Sequence, residues 1–367
     1  MPTNSKLYIG AMSGTSHDAV DVSLISVTKK NIKLEAFDSI KIPRNLSDDI
    51  SNTISNNLIS LSDLGILNKK VGMIFAKAVL RIIDKNVLKN PQNIAVGISG
   101  QTIRHEPNIK NNFSTQIGDP NIVSAITGTT VVSDFRNMHI AKGGEGAPLV
   151  PEFHAELFKS KKESRIILNI GGISNYTYVQ ADGSYFGTDT GPGNALIDAY
   201  CSKVLGLEFD RNGAIAEKGK VNLKELKKLL SNSFFKKKMP KSTGKELFNF
   251  GYISKNLLKH DKKDVLATLT EFSALTIANA IKKEKHDFKS IYICGGGSKN
   301  KTLLKRISFH LNMPVKLTSD LGLDPQAIES MAFGWLAYRR VNNIPSAVLL
   351  RNNRVVPALL GSITKSI

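Results

Sequence analysis

The sequence predicts an α/β chain built from two similar halves, and three observations carry that expectation. Short apolar strands alternate with stretches of helical periodicity along the whole chain. A unit of strand, Gly/Ser turn and returning strand occurs twice, once near the start and again after residue 165. The chain has 367 residues, 41% of them hydrophobic, which is natural for two domains with buried cores.

Residues 7–10 form a buried-type strand, and 18–27 return as a second with Val20, Val22 and Leu24 on one face at period two. The turn between them is small, hydroxylated and glycine-bearing. Its backbone N–H groups with Ser13, Thr15 and Ser16 can wrap phosphate oxygens, while Asp18 or Asp21 faces a hydrated magnesium ion. The same composition also makes a plain Ser/Gly hairpin. The spacing is not the Walker pattern, which occurs nowhere in the chain. Residues 46–88 read as largely helical. A strand at 94–98 ends in the polar run Ser99 to His105, and Thr115 to Asp119 precede a short helix. A strand at 130–133 leads into Asp134-Phe-Arg136. The glycine-rich stretch 143–150 is too polar for core and reads as a hinge or substrate loop, or as a loop without a ligand.

The pattern then restarts. Residues 165–170 are a strand, Gly171 and Gly172 open a tight turn, and 176–180 return. Two such hairpins, each opening an α/β half, imply a duplicated architecture with phosphate held between the halves. Next comes a strand at 184–188, a turn at Gly191-Pro-Gly193, and a helix capped by Asn194 with Leu196, Ile197, Tyr200, Val204 and Leu205 at helical spacing. Asp189 therefore falls where a strand ends and a helix begins, the place where open α/β sheets put ligands. Glycines on both sides admit a ligand to the backbone, and free N–H groups at the helix start favour an anion. A carboxylate there reads as a base beside a transferred phosphoryl group, or as an Asp in an ordinary Gly-Pro turn.

Residues 210–217 form a polar loop, and 239–246 carry two cations and two hydroxyls in one loop. A helix over 264–282 precedes a strand at 290–294 that runs into Gly295, Gly296 and Gly297. A triple glycine at a strand-to-helix turn lets a flat or anionic ligand lie on the backbone, with adenosine the natural candidate. A helix over 327–339 is the last strong element, with Glu329 on its first turn, where a carboxylate also simply suits the helix dipole.

Lys plus Arg exceeds Asp plus Glu by 50 − 31 = 19. The lysines are dispersed, and their densest clusters, 236–238 and 282–289, lack aromatic interleaving and match no groove-reading motif. Solvated helix faces explain them, and an anionic small substrate also benefits from the field; no nucleic-acid partner is expected. Cys201 and Cys294 make neither a disulfide framework nor a metal-ligand spacing. The start carries no signal-peptide pattern, and no apolar run approaches the ~20 residues that span a bilayer. A soluble, cytoplasmic protein without a membrane partner is the expectation.

Together these strings resemble the anhydro-N-acetylmuramic acid kinase family over nearly the whole chain. The matching segments are Met12 to Ser16 with Asp18 and Asp21, Gly100 to Thr102 with His105, Gln116 to Asp119, Asp134 to Arg136, and Gly146 to Pro151. They continue with Leu168 to Asn175, Asp189 to Asn194, Pro240 to Gly244, Cys294 to Ser298, and Glu329 with Ala332 and Phe333. The resemblance implies a two-lobed actin-like ATPase (ribonuclease H-like) fold with ATP in the cleft between the duplicated lobes. Lobe I would span 1–137, completed by 345–367, and lobe II 138–344. It implies Asp189 and Glu329 as catalytic residues and Asp18 as the magnesium ligand. ATP would be held by Gly14, Thr15, Ser16, His17, Asp18, Ala19, Val20 and Asp21, by Gly171 and Gly172, and by Gly295, Gly296 and Gly297. The sugar would meet Gln101, His105, Asp119 and Arg136. The implied reaction uses ATP and water to convert 1,6-anhydro-N-acetylmuramate to N-acetylmuramate 6-phosphate, a step of peptidoglycan recycling, and the resemblance points to a homodimer.

Five positions depart from the family pattern. His17 replaces an apolar residue, Ala19 a glycine, Ser99 a histidine, His139 an aspartate and Glu145 a glutamine. The last three fall in the expected substrate loops and raise a related anhydro sugar, such as levoglucosan, as the alternative substrate. A catalytically silent ATP-binding regulator is a further alternative, against which Asp189 and Asp18 are intact.

Overall fold

A computed structural model describes residues 6–28, 31–56, 58–107, 110–284, 287–350 and 354–365. Part of the 282–289 lysine cluster and part of the 345–367 tail lie outside the described residues. The chain divides into two compact units, Met1–Phe153 with Ala327–Ile367, and His154–Gln326.

The first unit opens with β1 (Lys6–Met12), β2 (Ala19–Val27) and β3 (Ile32–Lys41), an antiparallel meander. Helices α1 (Arg44–Asn56) and α2 (Leu61–Lys85) follow, the second started by Ser60, whose side chain accepts from the Asp63 N–H. Then come β4 (Ala95–Ile98), the hairpin β5 (Gln101–Glu106) and β6 (Phe113–Ile117), α3 (Pro120–Thr127), β7 (Thr130–Ser133) and α4 (Phe135–Ala141). Strands β4 and β7 add in parallel beyond β1. The β5–β6 hairpin stands apart from the main sheet, and it replaces the irregular polar run expected after Ser99. Its residues are mostly polar, so the alternation that marks a half-buried strand is missing.

The chain leaves the first unit within α5 (Pro151–Phe158) and begins again with β8 (Arg165–Ile170), β9 (Ile173–Val179) and β10 (Tyr185–Pro192). Helices α6 (Ala195–Tyr200), α7 (Leu223–Leu230) and α8 (Lys262–Lys282), strand β11 (Ser290–Cys294), α9 (Lys301–Leu311) and the short β12 (Lys316–Leu317) complete this unit. Its sheet order is β10-β9-β8-β11-β12, with an antiparallel meander on one side of β8 and parallel strands on the other. The first unit repeats that plan as β7-β4-β1-β2-β3. The duplicated plan is the actin-like ATPase, ribonuclease H-like arrangement.

The chain then returns to the first unit through α10 (Ile328–Val341), β13 (Ser346–Leu349), β14 (Val355–Ala358) and β15 (Ser362–Thr364), the last pairing with β7. The sequence reading assigned the 327–339 helix to lobe II and ended lobe I at residue 137. In the structure α10 packs on the first sheet, and the units divide after Phe153 and before Ala327. Sequence alternation on β1 explains the packing. Ile9 and Ala11 join the core with Phe75 and Val79 of α2, whereas Tyr8 meets Tyr338 of α10 at 5.3 Å between ring centroids. A Cβ on Gly10 would lie 1.8 Å from the Ser330 carbonyl oxygen, and one on Gly97 2.0 Å from that of Phe333. Glycine is therefore what lets the helix backbone rest on the strands. In the second unit, Ile166, Leu168 and Ile170 pack with Ala274 and Ile277 of α8 and Leu303 and Ile307 of α9.

Candidate active site

Asp189 lies inside β10, not at its end as the sequence implied. The strand continues to Pro192, with a bulge between Asp189 and Gly191. A bulge re-aims side chains locally, and such irregularities concentrate beside functional groups. Asp189 is buried, with 6% of its surface exposed, so its polar atoms need partners. The loop that follows Met239 supplies them. Thr243 N–H donates to Asp189 Oδ2 at 2.9 Å, and Ser242 Oγ donates to the same oxygen at 3.3 Å. On the backbone, Asp189 N–H donates to the Lys241 carbonyl at 3.0 Å.

Part of the helix start behind Asp189, where free N–H groups were expected, is engaged by the chain itself. Gly193 and Ala195 N–H donate to the Gly172 carbonyl at 2.8 and 3.0 Å, and Asn194 N–H to that of Gly171 at 2.9 Å. These donors are spent joining α6 to the β8–β9 turn. Gly171 and Gly172 thus anchor the helix through their carbonyls. In the third glycine motif the three residues differ. A Cβ on Gly295 would meet Asn169 Oδ1 at 2.3 Å, and one on Gly297 the Ile170 side chain at 2.3 Å, so both are glycine for close packing. A Cβ on Gly296 would meet nothing within 4 Å, which makes it the open member against which a ligand can lie.

In the first unit, the turn after β1 is tied to the strand after β4. Ser13 N–H donates to Ser99 Oγ at 3.1 Å, Ser13 Oγ to Gln101 Oε1 at 2.8 Å, and Gln101 Nε2 to the Gly14 carbonyl at 3.4 Å. Gln101, expected at the sugar, is thus tied to the turn that was expected to meet phosphate. Thr15, Ser16 and Asp18 are exposed there, and Ser16 Oγ donates to Asp18 Oδ1. His17 is buried at φ 54°. Ala19, Val20 and Asp21 are already strand residues of β2, and the Val20 side chain is core. Glu329 sits half-buried on the first turn of α10, in the unit that does not contain Asp189.

The β5–β6 hairpin carries a polar cluster. His105 Nδ1 and Ser114 Oγ lie 3.0 Å apart, and Gln116 Nε2 donates to Ser114 Oγ at 2.6 Å and to Thr102 Oγ1 at 3.3 Å. Arg136 Nη1 donates to the Gly146 carbonyl at 2.9 Å, and Gly146 N–H donates to His139 Nδ1 at 3.0 Å, which fastens the glycine-rich loop to α4. Burial first, and then the Arg136 charge, lower the pKa of His105 and of His139 to about 4, so both rings are neutral at neutral pH. Asp119 has a local duty: its Oδ1 accepts from Asn121 N–H at 2.8 Å as the N-cap of α3. Ser114 was not singled out by sequence reasoning, while Thr102, Ser242 and Thr243 lay in segments it matched without being given a role of their own.

The family profile for anhydro-N-acetylmuramic acid kinase matches residues 6–366. A protein of that name from Gamma-proteobacterium EBAC31A08 is 56% identical over 363 residues, 99% of each chain. The chain belongs to the anhydro-N-acetylmuramic acid kinase family. Family relatives include that of Shewanella loihica, 42% identical over 352 residues, covering 92% of this chain and 93% of the relative. Among solved structures, the activator of the 2-hydroxyisocaproyl-CoA dehydratase from Clostridium difficile, with bound ADPNP, aligns at TM-score 0.49 with 11% identity, covering 92% of this chain and 96% of that one. As a member of the kinase family this chain is a phosphotransferase acting on a small sugar. Among the described residues no helix is long and apolar enough to cross a membrane.

Proposed function

We propose that the chain uses ATP and water to open 1,6-anhydro-N-acetylmuramic acid and phosphorylate O6, giving N-acetylmuramic acid 6-phosphate and ADP in peptidoglycan recycling. The observation that carries this reading is the buried carboxylate of Asp189, held by two donors on one oxygen, in a chain of this family.

The substrate's chemistry sets the demand. O6 is tied to C1, so there is no free 6-hydroxyl to phosphorylate. Water attacks C1, the C1–O6 bond breaks, and O6 bonds to the γ-phosphorus as the bond to the β-phosphate oxygen breaks and ADP leaves. The water proton passes to Asp189, and its oxygen remains at C1. Glu329 is assigned to orient the same water. Gly14, Thr15, Ser16 and Asp18 of the first turn meet the phosphates, and Gly296 meets the adenosine. Among the described residues no cluster of three or more acidic, His or Cys side chains could hold a metal ion by itself. Magnesium keeps its waters and binds through one or two carboxylates plus substrate phosphates, and exposed Asp18 is the carboxylate that would hold it. When bound, the ion neutralises phosphate charge. A homodimer in the cytoplasm is the proposed working form.

Two measurements test this. ADP release with the anhydromuramate should exceed that with levoglucosan, and a preference for levoglucosan would overturn the muramate assignment. Run in ¹⁸O water, the reaction should place label at C1 and leave the bridging oxygen of the 6-phosphate unlabelled. Label at that oxygen would mean attack at C6 and would remove the role given to Asp189.

A further inference from the structure

Ser242 and Thr243 reach Asp189 from a stretch without regular secondary structure, so their aim depends on what holds that stretch in place. Its centre is Lys241. The main chain of Lys241 is laced to β10: its N–H donates to Thr188 Oγ1 at 3.1 Å, and its carbonyl accepts from Asp189 N–H at 3.0 Å. Its side chain turns inward, with only 8% of the residue exposed. The ammonium donates to the Phe234 carbonyl at 3.1 Å and stands 4.2 Å from the centroid of the Phe234 ring and 5.7 Å from that of Phe235. A buried cation seated on an aromatic face and a carbonyl is a directional anchor of a kind that an apolar side chain does not provide. Phe234 in turn packs edge-on to Phe248 at 5.6 Å within the second unit's core.

We infer that Lys241 is a positioning residue for Asp189: its ammonium, locked onto Phe234, fixes the loop that delivers the Ser242 hydroxyl and the Thr243 N–H to the carboxylate. The inference rests on the proposed role of Asp189 as the base. Small displacements of a reacting group are expensive, about 100-fold in rate for about 1 Å, so an anchor one residue from these donors is well placed to matter. A second property follows from the same burial. Desolvation first, then Lys283, lower the pKa of Lys241 to about 8, with Asp189 acting in the opposite direction and Lys237 adding to the lowering. The anchor therefore loses its charge in mildly alkaline solution.

The test compares Lys241→Met with the wild type. Methionine keeps the length and apolar stem and removes the charge, so kcat should fall roughly 10- to 100-fold while KM for ATP and for the sugar stay within about twofold, a margin well below that rate effect. Melting temperature should change little, because the lost bond to the Phe234 carbonyl is offset by removal of a buried charge. In the wild type, kcat should decline on an alkaline limb near pH 8, and that limb should be missing in the variant. Over the same range stability should rise, since the unfolded lysine binds its proton more tightly than the folded one and sheds it only at higher pH. Wild-type kcat in Lys241→Met, or kcat and both KM values collapsing together with the melting temperature, would overturn the inference. Should that variant not fold, Ser242→Ala decides: lowered kcat at unchanged KM with the wild-type alkaline limb supports the inference, and wild-type kcat or no limb overturns it. Asp189→Asn is the control. If it retains turnover, the base assignment itself fails; if it is dead while Lys241→Met is normal, only the positioning role fails.

Discussion

The buried carboxylate of Asp189 is the residue on which the chemistry depends, and its replacement by asparagine isolates that chemistry from packing. Asparagine keeps the size and an acceptor oxygen for Thr243 N–H, so the loop contact at 2.9 Å can persist. ATP and sugar should still bind, measured by titration calorimetry, while turnover falls by roughly 10²–10⁴, the usual worth of general-base help. Near-normal turnover would move the base elsewhere, with Glu329 the first place to look. At this scale the sequence revealed the carboxylate but not its support. Asp189 stands out because glycines flank it, and glycine clusters are local signals. Its donors Ser242 and Thr243 are 53 and 54 residues away, and no spacing rule links a strand residue to a loop that distant. The free N–H groups expected at the start of α6 were a local inference, and tertiary pairing with the Gly171–Gly172 turn takes up those of Gly193, Asn194 and Ala195.

Among the elements, α10 shows how a helix is placed by what the strands lack. Gly97→Ala would set a Cβ 2.0 Å from the Phe333 carbonyl oxygen and 3.2 Å from Ala337 Cβ. Backbone cannot yield as a side-chain tip can, so a loss of about 3 kcal/mol or more is expected, read as a lowered urea midpoint. Gly65→Ala in α2 is the matched opposite. That position has nothing within 4 Å of a Cβ, and alanine in a helix interior should add roughly 0.5–1 kcal/mol. A midpoint unchanged by Gly97→Ala would refute the close approach. Strands β1, β2, β4, β7, β8 and β11 were legible because apolar runs and period-two alternation mark buried strands. The β5–β6 hairpin was not, since Gln101, Thr102, Arg104, His105 and Glu106 give no apolar period. Assigning α10 to the second lobe followed chain order, whereas packing brings it back to the first sheet.

For the molecule as a whole, the duplicated plan was readable from two glycine turns, each followed by alternating strands and helices. The long-range charge was not informative in that way, because a formal excess of 19 positive charges says nothing of which histidines are buried. That burial makes a prediction about acid. His105 and His139 in the first unit titrate near 4, and burial lowers His154 in the second to about 3. Each has a folded pKa below its unfolded value near 6.5, so between those limits the unfolded chain holds more protons and stability falls as pH falls. For His139, 8% exposed and shifted from 6.5 to about 4, the full contribution is on the order of 3 kcal/mol at the acid end. Melting temperature should therefore drop steadily from pH 7 to 4.5, ahead of the range in which the carboxylate of Glu271, held low by Arg306 and His310 against its own burial, takes up a proton. His139→Asn keeps an acceptor for Gly146 N–H and removes one titrating ring, so its melting curve should be less steep over that interval. A wild-type curve that stays flat from pH 7 to 4.5, or a variant as steep as the wild type, would show that these rings are not held neutral by burial.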